Sequence, residues 1–563
     1  MADNTSTNLS KIERDELIAI CEKLRGDSSD PNTEADINRL ITFIRSRKYG
    51  LMFERHEEEV DRLLKDHLPT FYDAEDKTIK TKDTEDCNFL LEGDNLHSLK
   101  LLEKTHKGKI DVIYIDPPYN TGNNDFIYAD NMVGQDDGFR HSKWLSFMKE
   151  RLEIARNLLS NEGVIFISID DNEQAQLKLL CDGIFGEENR LSIIACVNNR
   201  AGRSDDKYFA TSHEYLLVYA KNAPYVTIGG FPLSEETMSG FKYEDTIGKY
   251  RLDGLKKTGK NCYKEDRPNM YYPIYYSPKL NTVSLDREFD DAIEIYPKIN
   301  GRDGRWRWGK DTFIRNKDIN VQVKRQKDGY VVYVKTRLET NGEIRTAKAK
   351  TVWDLPDYST TNGTKAFKEL FGTKSFESPK SVEYIKDIIM ISTRQSATIL
   401  DFFAGSGTTG QAVLELNQED GGNRHFILCT NNENNICEEI TYQRLKTVIT
   451  GIRPDGTKYS EGIKANLKYF KTDMVAFNDE EMEEKLIDSS ECLIQLENSA
   501  LLTSPDIDVA YCDEDLPEIF ENKPSLKTLY VLEDVLFNAE QTSYIESHNV
   551  EIKRVADCYY EGV

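Results

Sequence analysis

Four consecutive residues, Asp116-Pro117-Pro118-Tyr119, combine groups that could do chemistry. The two prolines restrict the backbone and hold in place the Asp116 carboxylate, the Pro117 carbonyl and the Tyr119 ring. An exocyclic amine of a nucleobase is a poor nucleophile because its lone pair is delocalised into the ring. Two acceptors for its N–H groups localise the pair and offset the charge that develops during attack. These hydrogen bonds cannot form while the base is stacked and paired in a duplex. The motif therefore predicts an extruded nucleotide with Tyr119 stacked on its base.

The motif closes the apolar run 111–115. A run of that length with turn residues after it predicts a buried parallel strand that ends at the ligand-binding edge of an open α/β sheet. The alternative interpretation is a Pro-Pro turn after a core strand without any catalytic role, because a four-residue match can arise by chance.

A second motif begins at Asp401 and continues as Phe402-Phe403-Ala404-Gly405-Ser406-Gly407. It lies between a predicted strand and a predicted helix, whose amino end could bind a polar ligand through free N–H groups. Its glycines also satisfy the GxGxxG pattern of dinucleotide dehydrogenases. That match is weak and does not account for the first motif or for the basic segment described below.

Strand and helix patterns alternate around both motifs, which predicts a parallel sheet. The pattern predicts a strand and turn at 89–95, helices at 96–104, 144–159, 173–185, 378–391, 408–416 and 436–452, and strands at 110–116, 163–169, 191–197, 214–220 and 425–430. Residues 5–70 have helical spacing and 73–86 resemble a linker. Further strands are predicted near 528–532 and 550–555.

The 563-residue chain is too long for one compact core and predicts several domains. Its formal net charge of −25, taken alone, disfavours a nucleic-acid partner, since phosphate contacts need Lys and Arg. Yet residues 241–350 contain about 25 basic against about 16 acidic side chains, and residues 471–563 about 6 against about 23. The chain therefore predicts a basic module and an acidic tail, and the simpler interpretation of the tail is a solvated surface.

Within the basic module, Arg and aromatic residues alternate at Arg305, Trp306, Arg307 and Lys310. Such a segment suits phosphate contact, base-edge hydrogen bonds and stacking, so these residues are predicted to bind DNA. The alternative is a packed strand with solvated arginines.

The chain has no run of about 18 apolar residues and a polar N-terminus, so we expect a cytoplasmic protein without a membrane partner. Its ten cysteines form no CxxC pair and show no metal spacing, so we expect reduced thiols and no metal.

With both motifs, the chain resembles the amino-group DNA methyltransferases, in particular the modification (Mod) subunits of type III restriction-modification systems. The order of catalytic motif, basic insert and glycine loop is similar to that of the beta group. Supporting matches are Glu92-Gly93-Asp94-Asn95, 167–173, His213-Glu214-Tyr215 and Phe376-Glu377-Ser378-Pro379-Lys380.

The resemblance implies a circularly permuted Rossmann-like α/β methyltransferase fold with an inserted target-recognition domain. The implied regions are a helical N-terminal region with linker (1–84), the catalytic half of the methyltransferase domain (85–221), the target-recognition insert (222–375), the cofactor-binding half (376–474) and a small acidic C-terminal region (475–563).

The resemblance also implies S-adenosylmethionine as the methyl donor. The implied cofactor residues are Asp401, Phe402, Ala404, Gly405, Gly407, Phe376, Pro379 and Lys380 at the methionine part, Thr430 and Asn431 at the ribose, Asp94 at the adenine ring and Asp116 beside the methyl group. An acidic residue commonly ends the ribose-facing strand in this family, whereas this chain has Cys429-Thr430-Asn431-Asn432.

The implied function is site-specific methylation of adenine N6 in double-stranded DNA. Cytosine N4 methylation and a recognition subunit that directs a nuclease remain alternatives. The implied partners are a second copy of the chain and an ATP-dependent restriction (Res) subunit, since this chain has no GxxxxGK[ST] loop.

Overall fold

The computed structural model describes residues 11–27, 33, 37, 40–41, 53–54, 56, 58–122, 127–128, 131–132, 137–204, 206–327, 329–372, 376 and 378–560. Two compact units are present: residues 1–228 with 350–563, and residues 229–349. The second unit is narrower than the predicted insert 222–375, because residues 222–228 and 350–375 belong to the first unit.

A mixed sheet of eleven strands forms the centre of the first unit. The strands are β1 (His67–Asp73), β2 (Ile79–Lys80), β3 (Asn88–Glu92), β4 (Ile110–Ile115), β5 (Leu159–Ile169), β6 (Arg190–Cys196), β7 (Glu214–Ala220), β8 (Val352–Trp353), β9 (Thr398–Asp401), β10 (His425–Thr430) and β11 (Asn466–Ala476). They are ordered β1-β11-β3-β10-β9-β4-β5-β7-β6-β8, and β2 also pairs with β11.

The centre of the sheet, from β11 to β5, is parallel as predicted. At its edges the sheet is not parallel, because β7 is antiparallel to β5 and β1 is antiparallel to β11. β6 and β7 are also antiparallel, which fits the spacing of 191–197 and 214–220, about that of a hairpin with a long loop. β6 and β7 are joined without a crossover helix, and such a connection permits antiparallel pairing. Because β4 and β9 are paired in parallel, their carboxyl ends lie side by side at one edge of the sheet.

Helices cover the sheet. In the first unit they are Lys11–Asp27, Glu59–Leu63, Asn95–His106, Arg140–Leu158, Gln174–Phe185, Thr360–Phe371, Val382–Ser392, Thr408–Asp420, Tyr442–Thr450, Met482–Asn498, Leu516–Asn522, Ala539–His548 and Val555–Cys558. Apolar residues of β3, β4 and β5 pack against helices Asn95–His106 and Arg140–Leu158 in one large core. No described helix is long and apolar enough to cross a membrane.

The N-terminal region differs from the prediction of helix and linker over residues 1–84. β1 and β2 pair with β11 and extend the sheet. β11 supplies the partner that the sequence analysis did not identify, because its charged and apolar residues do not alternate regularly. Much of 28–57 lies outside the described residues.

The C-terminal region contains a three-stranded parallel sheet of Ile507–Ala510, Thr528–Val531 and Glu551–Arg554. The last two strands confirm the predictions near 528–532 and 550–555. The preceding helix, Met482–Asn498, places Leu486, Cys492 and Leu493 in the large core of the first unit, so this region is more than a solvated surface.

The second unit has its own core around Leu255, Tyr272, Trp306 and Phe313. Its elements are helices Glu235–Ser239 and Lys310–Asn320 and strands Gly230–Phe231, Tyr243–Asp245, Gly248–Gly254, Ile274–Ser277, Thr282–Ser284, Ile293–Ile295, Lys298–Ile299, Arg302–Asp303, Val321–Gln326, Gly329–Arg337, Glu339–Thr340, Glu343–Ile344 and Ala347–Lys348.

Candidate active site

The loop after β4 is held by hydrogen bonds on its far side. β4 is almost entirely buried and ends at Ile115, so the loop begins at the carboxyl edge of the sheet. The Pro118 carbonyl accepts a hydrogen bond from the Trp144 indole at 2.7 Å. Buried Asn120 has a φ of +55°, a left-handed conformation that asparagine tolerates, and its amide donates to Glu173 Oε1 at 2.5 Å. These contacts fix the backbone on both sides of Tyr119.

Two hydrogen-bond acceptors in this loop remain available. Asp116 Oδ1 lies 2.8 Å from the Tyr119 hydroxyl. The other carboxylate oxygen, Oδ2, and the Pro117 carbonyl accept no hydrogen bond from any residue that the structure describes. The Asp116 side chain is 30% exposed, so a ligand can reach it. The loop thus offers the pair of acceptors that the sequence predicts for an exocyclic amine.

Lys380 and Glu214 join this loop from distant parts of the chain. The Lys380 ammonium donates to Glu214 Oε1 and to the Tyr119 hydroxyl, each at 2.6 Å, and lies 3.3 Å from Asp116 Oδ1. Glu214 Oε2 accepts from the Asn198 amide at 2.9 Å and lies 3.2 Å from the Tyr119 hydroxyl. Two carboxylates therefore share one lysine and one tyrosine hydroxyl.

The cluster perturbs the ionisation of its members. Burial raises the pKa of the Asp116 carboxyl above its ordinary value; the Lys380 ammonium lowers it in part, and Glu214 raises it. Burial lowers the pKa of Lys380, but the carboxylates of Asp116 and Glu214 raise it by more, so it lies above its ordinary value. Lys380 is therefore a cation at neutral pH.

The glycine loop follows β9 at the same edge of the sheet. Gly405 and Gly407 have φ of +48° and +75°, which residues with a Cβ rarely adopt. The Ala404 N–H donates to the carbonyl of Cys429 on β10 at 3.1 Å. Helix Thr408–Asp420 begins here without a side-chain cap, so its first N–H groups can donate to a ligand.

Asp401 ends β9 and is 2% exposed. Its Oδ1 accepts from the Phe403 N–H at 3.0 Å, and its Oδ2 accepts from the Thr409 hydroxyl at 2.5 Å. Burial raises the pKa of the Asp401 carboxyl to about 7, although both hydrogen bonds lower it. Asp401 therefore uses both oxygens to hold the glycine loop itself.

Two residues that the sequence analysis did not identify also support this loop. The fully buried Arg444 guanidinium donates to the hydroxyls of Ser406 at 2.9 Å and Thr408 at 2.8 Å. The Thr441 hydroxyl donates to the Gly405 carbonyl at 2.6 Å. For Arg444, the sequence offered one signal: an arginine among the apolar positions of helix Tyr442–Thr450. A buried arginine needs polar partners, which here are in the glycine loop.

The other predicted cofactor residues have varied surroundings. The Phe376 ring packs near Phe367, with centroids 6.0 Å apart, and lies 3.7 Å from the position of a Cβ at Gly405. Pro379 is buried beside Lys380. Phe402 is fully buried in the core, so its side chain is not available to a ligand.

Asp94, Thr430 and Asn431 lie at the ends of β3 and β10. Asp94 Oδ1 accepts from the Leu96 N–H at 2.7 Å and caps helix Asn95–His106, and Arg151 lies 3.4 Å from the same oxygen. Thr430 is buried, whereas Asn431 is exposed. Their predicted contacts with the ribose and the adenine ring stay predictions.

The edge of the sheet has the features that S-adenosylmethionine requires. The uncapped helix offers donors to a carboxylate, and the Phe376 ring lies in van der Waals range of a Cβ placed at Gly405, so an aromatic side chain borders the loop. Two carboxylates, Asp116 and Glu214, against one Lys380 leave a net negative charge, which suits a sulfonium cation.

Two of the predicted DNA contacts, Arg305 and Trp306, are buried in the second unit. Trp306 is 2% exposed, and its indole donates to the Tyr272 carbonyl at 2.8 Å. Arg305 is 8% exposed, and its Nε donates to the Asn261 carbonyl at 2.6 Å. Both side chains are therefore buried in the second unit, and Arg305 differs from the solvated arginine of the packed-strand alternative. Their predicted contacts with DNA stay predictions.

Arg307, in contrast, is exposed and lines a cavity of about 390 Å³. The cavity is also lined by Arg251, Lys335, Arg337 and Arg345. The carboxylates of Asp245 and Asp253 form ion pairs with three of these cations. Arg307 and Arg345 form no ion pair with a carboxylate in the part of the chain that the structure describes, so they give this cleft a positive charge. Lys310 is exposed at the start of helix Lys310–Asn320.

Residues 110–443, which contain both loops and the whole second unit, match the model of a family described as DNA methylase. The chain belongs to this family. The match places the Asp116 loop and the glycine loop of this DNA methylase within one family domain, as the sheet also does.

Three relatives resemble this DNA methylase over most of its length. It is 37% identical over 430 residues to the type III restriction-modification enzyme EcoPI Mod subunit of Escherichia phage P1, covering 70% of this chain and 66% of that protein. It is 36% identical over 448 residues to the type II methyltransferase M.KpnI of Klebsiella pneumoniae, covering 79% and 100%. It is 33% identical over 410 residues to the type III StyLTI Mod subunit of Salmonella typhimurium, covering 65% and 57%.

Proposed function

We propose that the chain transfers a methyl group from S-adenosylmethionine to the N6 amine of adenine in DNA. One observation carries this proposal: among the described residues, Asp116 Oδ2 and the Pro117 carbonyl accept no hydrogen bond at the end of β4, beside the glycine loop at the end of β9. A base amine held there would lie at the same edge of the sheet as the glycine loop, because β4 and β9 are paired in parallel.

The residues act by position and charge. When bound, S-adenosylmethionine supplies an electrophilic methyl carbon on a sulfonium. The Asp116 carboxylate and the Pro117 carbonyl each accept a hydrogen bond from one N–H group of the amine. These hydrogen bonds direct the nitrogen lone pair at the methyl carbon. The Tyr119 ring stacks on the extruded base, and its hydroxyl is already fixed by Asp116 and Lys380.

Asp116→Ala tests this mechanism. We expect it to abolish methyl transfer to DNA, because the carboxylate acts at the reacting nitrogen, while donor binding, measured by calorimetry, weakens far less than methyl transfer. Mass spectrometry of nucleosides from treated DNA identifies the product. N6-methyladenine supports the proposal, N4-methylcytosine supports the alternative substrate, and normal turnover of the variant would remove Asp116 from the reaction.

The sheet supports a circularly permuted Rossmann-like methyltransferase fold. β4 and β9 are neighbours in the centre of the sheet, yet the catalytic strand precedes the strand of the glycine loop in the chain. We infer that the family's catalytic half comes first here and the cofactor half second, with the unit 229–349 between them.

That second unit is proposed to recognise DNA through its basic cleft. Arg307 and Arg345 have exposed cations without carboxylate partners among the described residues, as contacts with phosphates or base edges require. Because this proposal uses only side chains of the second unit, it does not depend on the chemistry proposed for Asp116.

The relatives favour a modification subunit of a type III system, since two of them are named Mod subunits. We propose that the chain acts in the cytoplasm as a homodimer with a separate restriction subunit. M.KpnI, a type II methyltransferase matched over its full length, favours the second candidate, a methyltransferase that needs no such partner. Light scattering gives the mass of the purified chain. Methylation without ATP is expected for both candidates, whereas DNA cleavage only after addition of the restriction subunit supports the first.

A further inference from the structure

Glu214 is the carboxylate with the most partners in the cluster around Asp116. It lies on β7, is 5% exposed and is surrounded by three donors. The Lys380 ammonium lies at 2.6 Å, the Asn198 amide at 2.9 Å and the Tyr119 hydroxyl at 3.2 Å. No step of the methyl transfer described above uses this side chain.

Lys380 is the group for which the two carboxylates compete. Its Nζ is 2.6 Å from Glu214 Oε1 but 3.3 Å from Asp116 Oδ1, so the closer ion pair is with Glu214. Its side chain is 13% exposed, and an ammonium that has lost most of its water needs a carboxylate partner. If Glu214 were neutral, Asp116 would be the only anion within reach among these contacts.

A lysine fully paired with Asp116 would oppose the proposed reaction. The carboxylate has to accept an amine hydrogen of the base and offset positive charge on the attacking nitrogen. An ammonium in direct contact would occupy lone pairs of the same carboxylate and would place positive charge next to the developing charge. Glu214 is placed to prevent this, because Asn198 fixes its other oxygen.

We propose that Glu214 is a positioning residue that keeps the Lys380 ammonium at 3.3 Å from Asp116 Oδ1, longer than the about 2.7–2.9 Å of a charge-assisted hydrogen bond, and so keeps the Asp116 carboxylate available to the target amine. This inference rests on the proposed function for its effect on rate. The position of the Lys380 ammonium can be tested independently of the proposed function.

A double-mutant cycle tests the inference, with Glu214→Gln, Lys380→Met and the double variant. Glutamine keeps the shape and one oxygen for the Asn198 amide but loses the charge. We expect Glu214→Gln to lower kcat by at least about tenfold with KM for the methyl donor within about twofold. The double variant should be at least about fivefold more active than Glu214→Gln, because the cation that blocks Asp116 is gone. A double variant no more active than Glu214→Gln would overturn the proposal, since loss of packing cannot be rescued by a second loss.

A crystal structure of Glu214→Gln gives a result that does not depend on activity. The Lys380 ammonium, which lies 3.3 Å from Asp116 Oδ1 in the wild type, is expected to move to a charge-assisted hydrogen bond of about 2.8 Å with Asp116, and an unchanged separation would overturn the inference. Glu162→Gln, whose side chain is 68% exposed on β5, is the matched control and should keep wild-type kcat. If the wild type methylated no DNA, the proposed function would fail, while the position of Lys380 would still decide the inference.

Discussion

The buried carboxyl of Asp401 couples the stability of the glycine loop to pH. Its folded pKa is about 7, well above the ordinary value of 3.8, so the folded state holds a proton that the unfolded state releases between these values. Stability should therefore fall as pH rises from about 4 to about 7, by up to about 4 kcal/mol from this group.

Asp401→Asn should remove this pH dependence. An asparagine can still accept from the Phe403 N–H and can donate to the Thr409 hydroxyl, so the loop keeps its hydrogen bonds. We expect the Tm of the variant to exceed that of the wild type at pH 8. At pH 5 the difference in Tm should be much smaller. Asp455→Asn is the control, because Asp455 is exposed in a turn and its pKa lies below its ordinary value. An equal difference between Asp401→Asn and wild type at both pH values would contradict the assignment.

At this scale, the sequence predicts groups that are contiguous in the chain and misses those that meet only after folding. Asp116 and Tyr119 are three residues apart, and the chemistry of their motif can be inferred from residue type alone. Glu214 and Lys380 join them across 95 and 261 residues. Their motifs were identified by resemblance, but no periodicity or spacing could show that they share a hydrogen-bond network.

Among the elements, helix Thr360–Phe371 positions the segment that carries Lys380. Gly363 lies so close to this segment that a Cβ there would be 2.0 Å from the Pro379 carbonyl oxygen. Gly363→Ala must therefore displace the helix or the segment, and we expect a loss of about 1–3 kcal/mol in stability. Methyl transfer should fall as well, because Lys380 moves relative to Asp116.

The matched control is Gly183→Ala in helix Gln174–Phe185, where an added Cβ would meet no atom within 4 Å. That substitution should stabilise the protein by about 0.5–1 kcal/mol through helix propensity and leave activity unchanged. Thermal unfolding and methyl transfer measured on both variants check the pair. Equal stability changes of the same sign would show that the close approach at Gly363 has no energetic effect.

Strands that are short apolar runs were predictable, and the structure confirms β4, β6, β7 and β10 to within one residue of the predicted bounds. β5 begins at Leu159, four residues before its predicted start. β1 and β11 were not predicted. β11 buries some positions and exposes others without a regular period, and β1 falls in a segment whose helical spacing suggested another structure. Their strand conformation depends on each other and on β3, a tertiary effect that overrides local pattern.

On the scale of the whole molecule, the positive charge of the cleft in the second unit predicts how DNA affinity responds to salt. Arg307→Ala with Arg345→Ala should weaken DNA binding and reduce the slope of log affinity against log salt by about 0.9 for each phosphate that is no longer neutralised. Fluorescence anisotropy at several salt concentrations measures both quantities. Lys279→Ala, an exposed cation of the same unit that does not line the cleft, is the control.

An unchanged slope in the double variant together with weaker binding by Lys279→Ala would place the DNA-binding surface elsewhere on the unit. Arg305→Ala should behave differently from both, because it removes a buried hydrogen bond and therefore lowers stability.

The organisation into a sheet unit and a basic module followed from composition, but the boundary at 229–349 did not. Residues 350–375 have no long apolar run, yet β8 pairs with β6 and helix Thr360–Phe371 packs with the first unit. Such short pairings are decided by neighbours that a sequence pattern does not contain.

The interleaved order of the strands also has a consequence for synthesis on the ribosome. β4 needs β9 on one side, but β9 begins only at Thr398, after the entire second unit has been translated. At about 5–20 residues per second, the nascent chain carries β3 and β4 with unpaired edges for tens of seconds. The unit 229–349 has its own core and can fold during this interval, whereas the central sheet cannot close until β9, β10 and β11 have emerged. During this interval the unpaired edges of β3 and β4 can pair with other chains, which favours aggregation over folding.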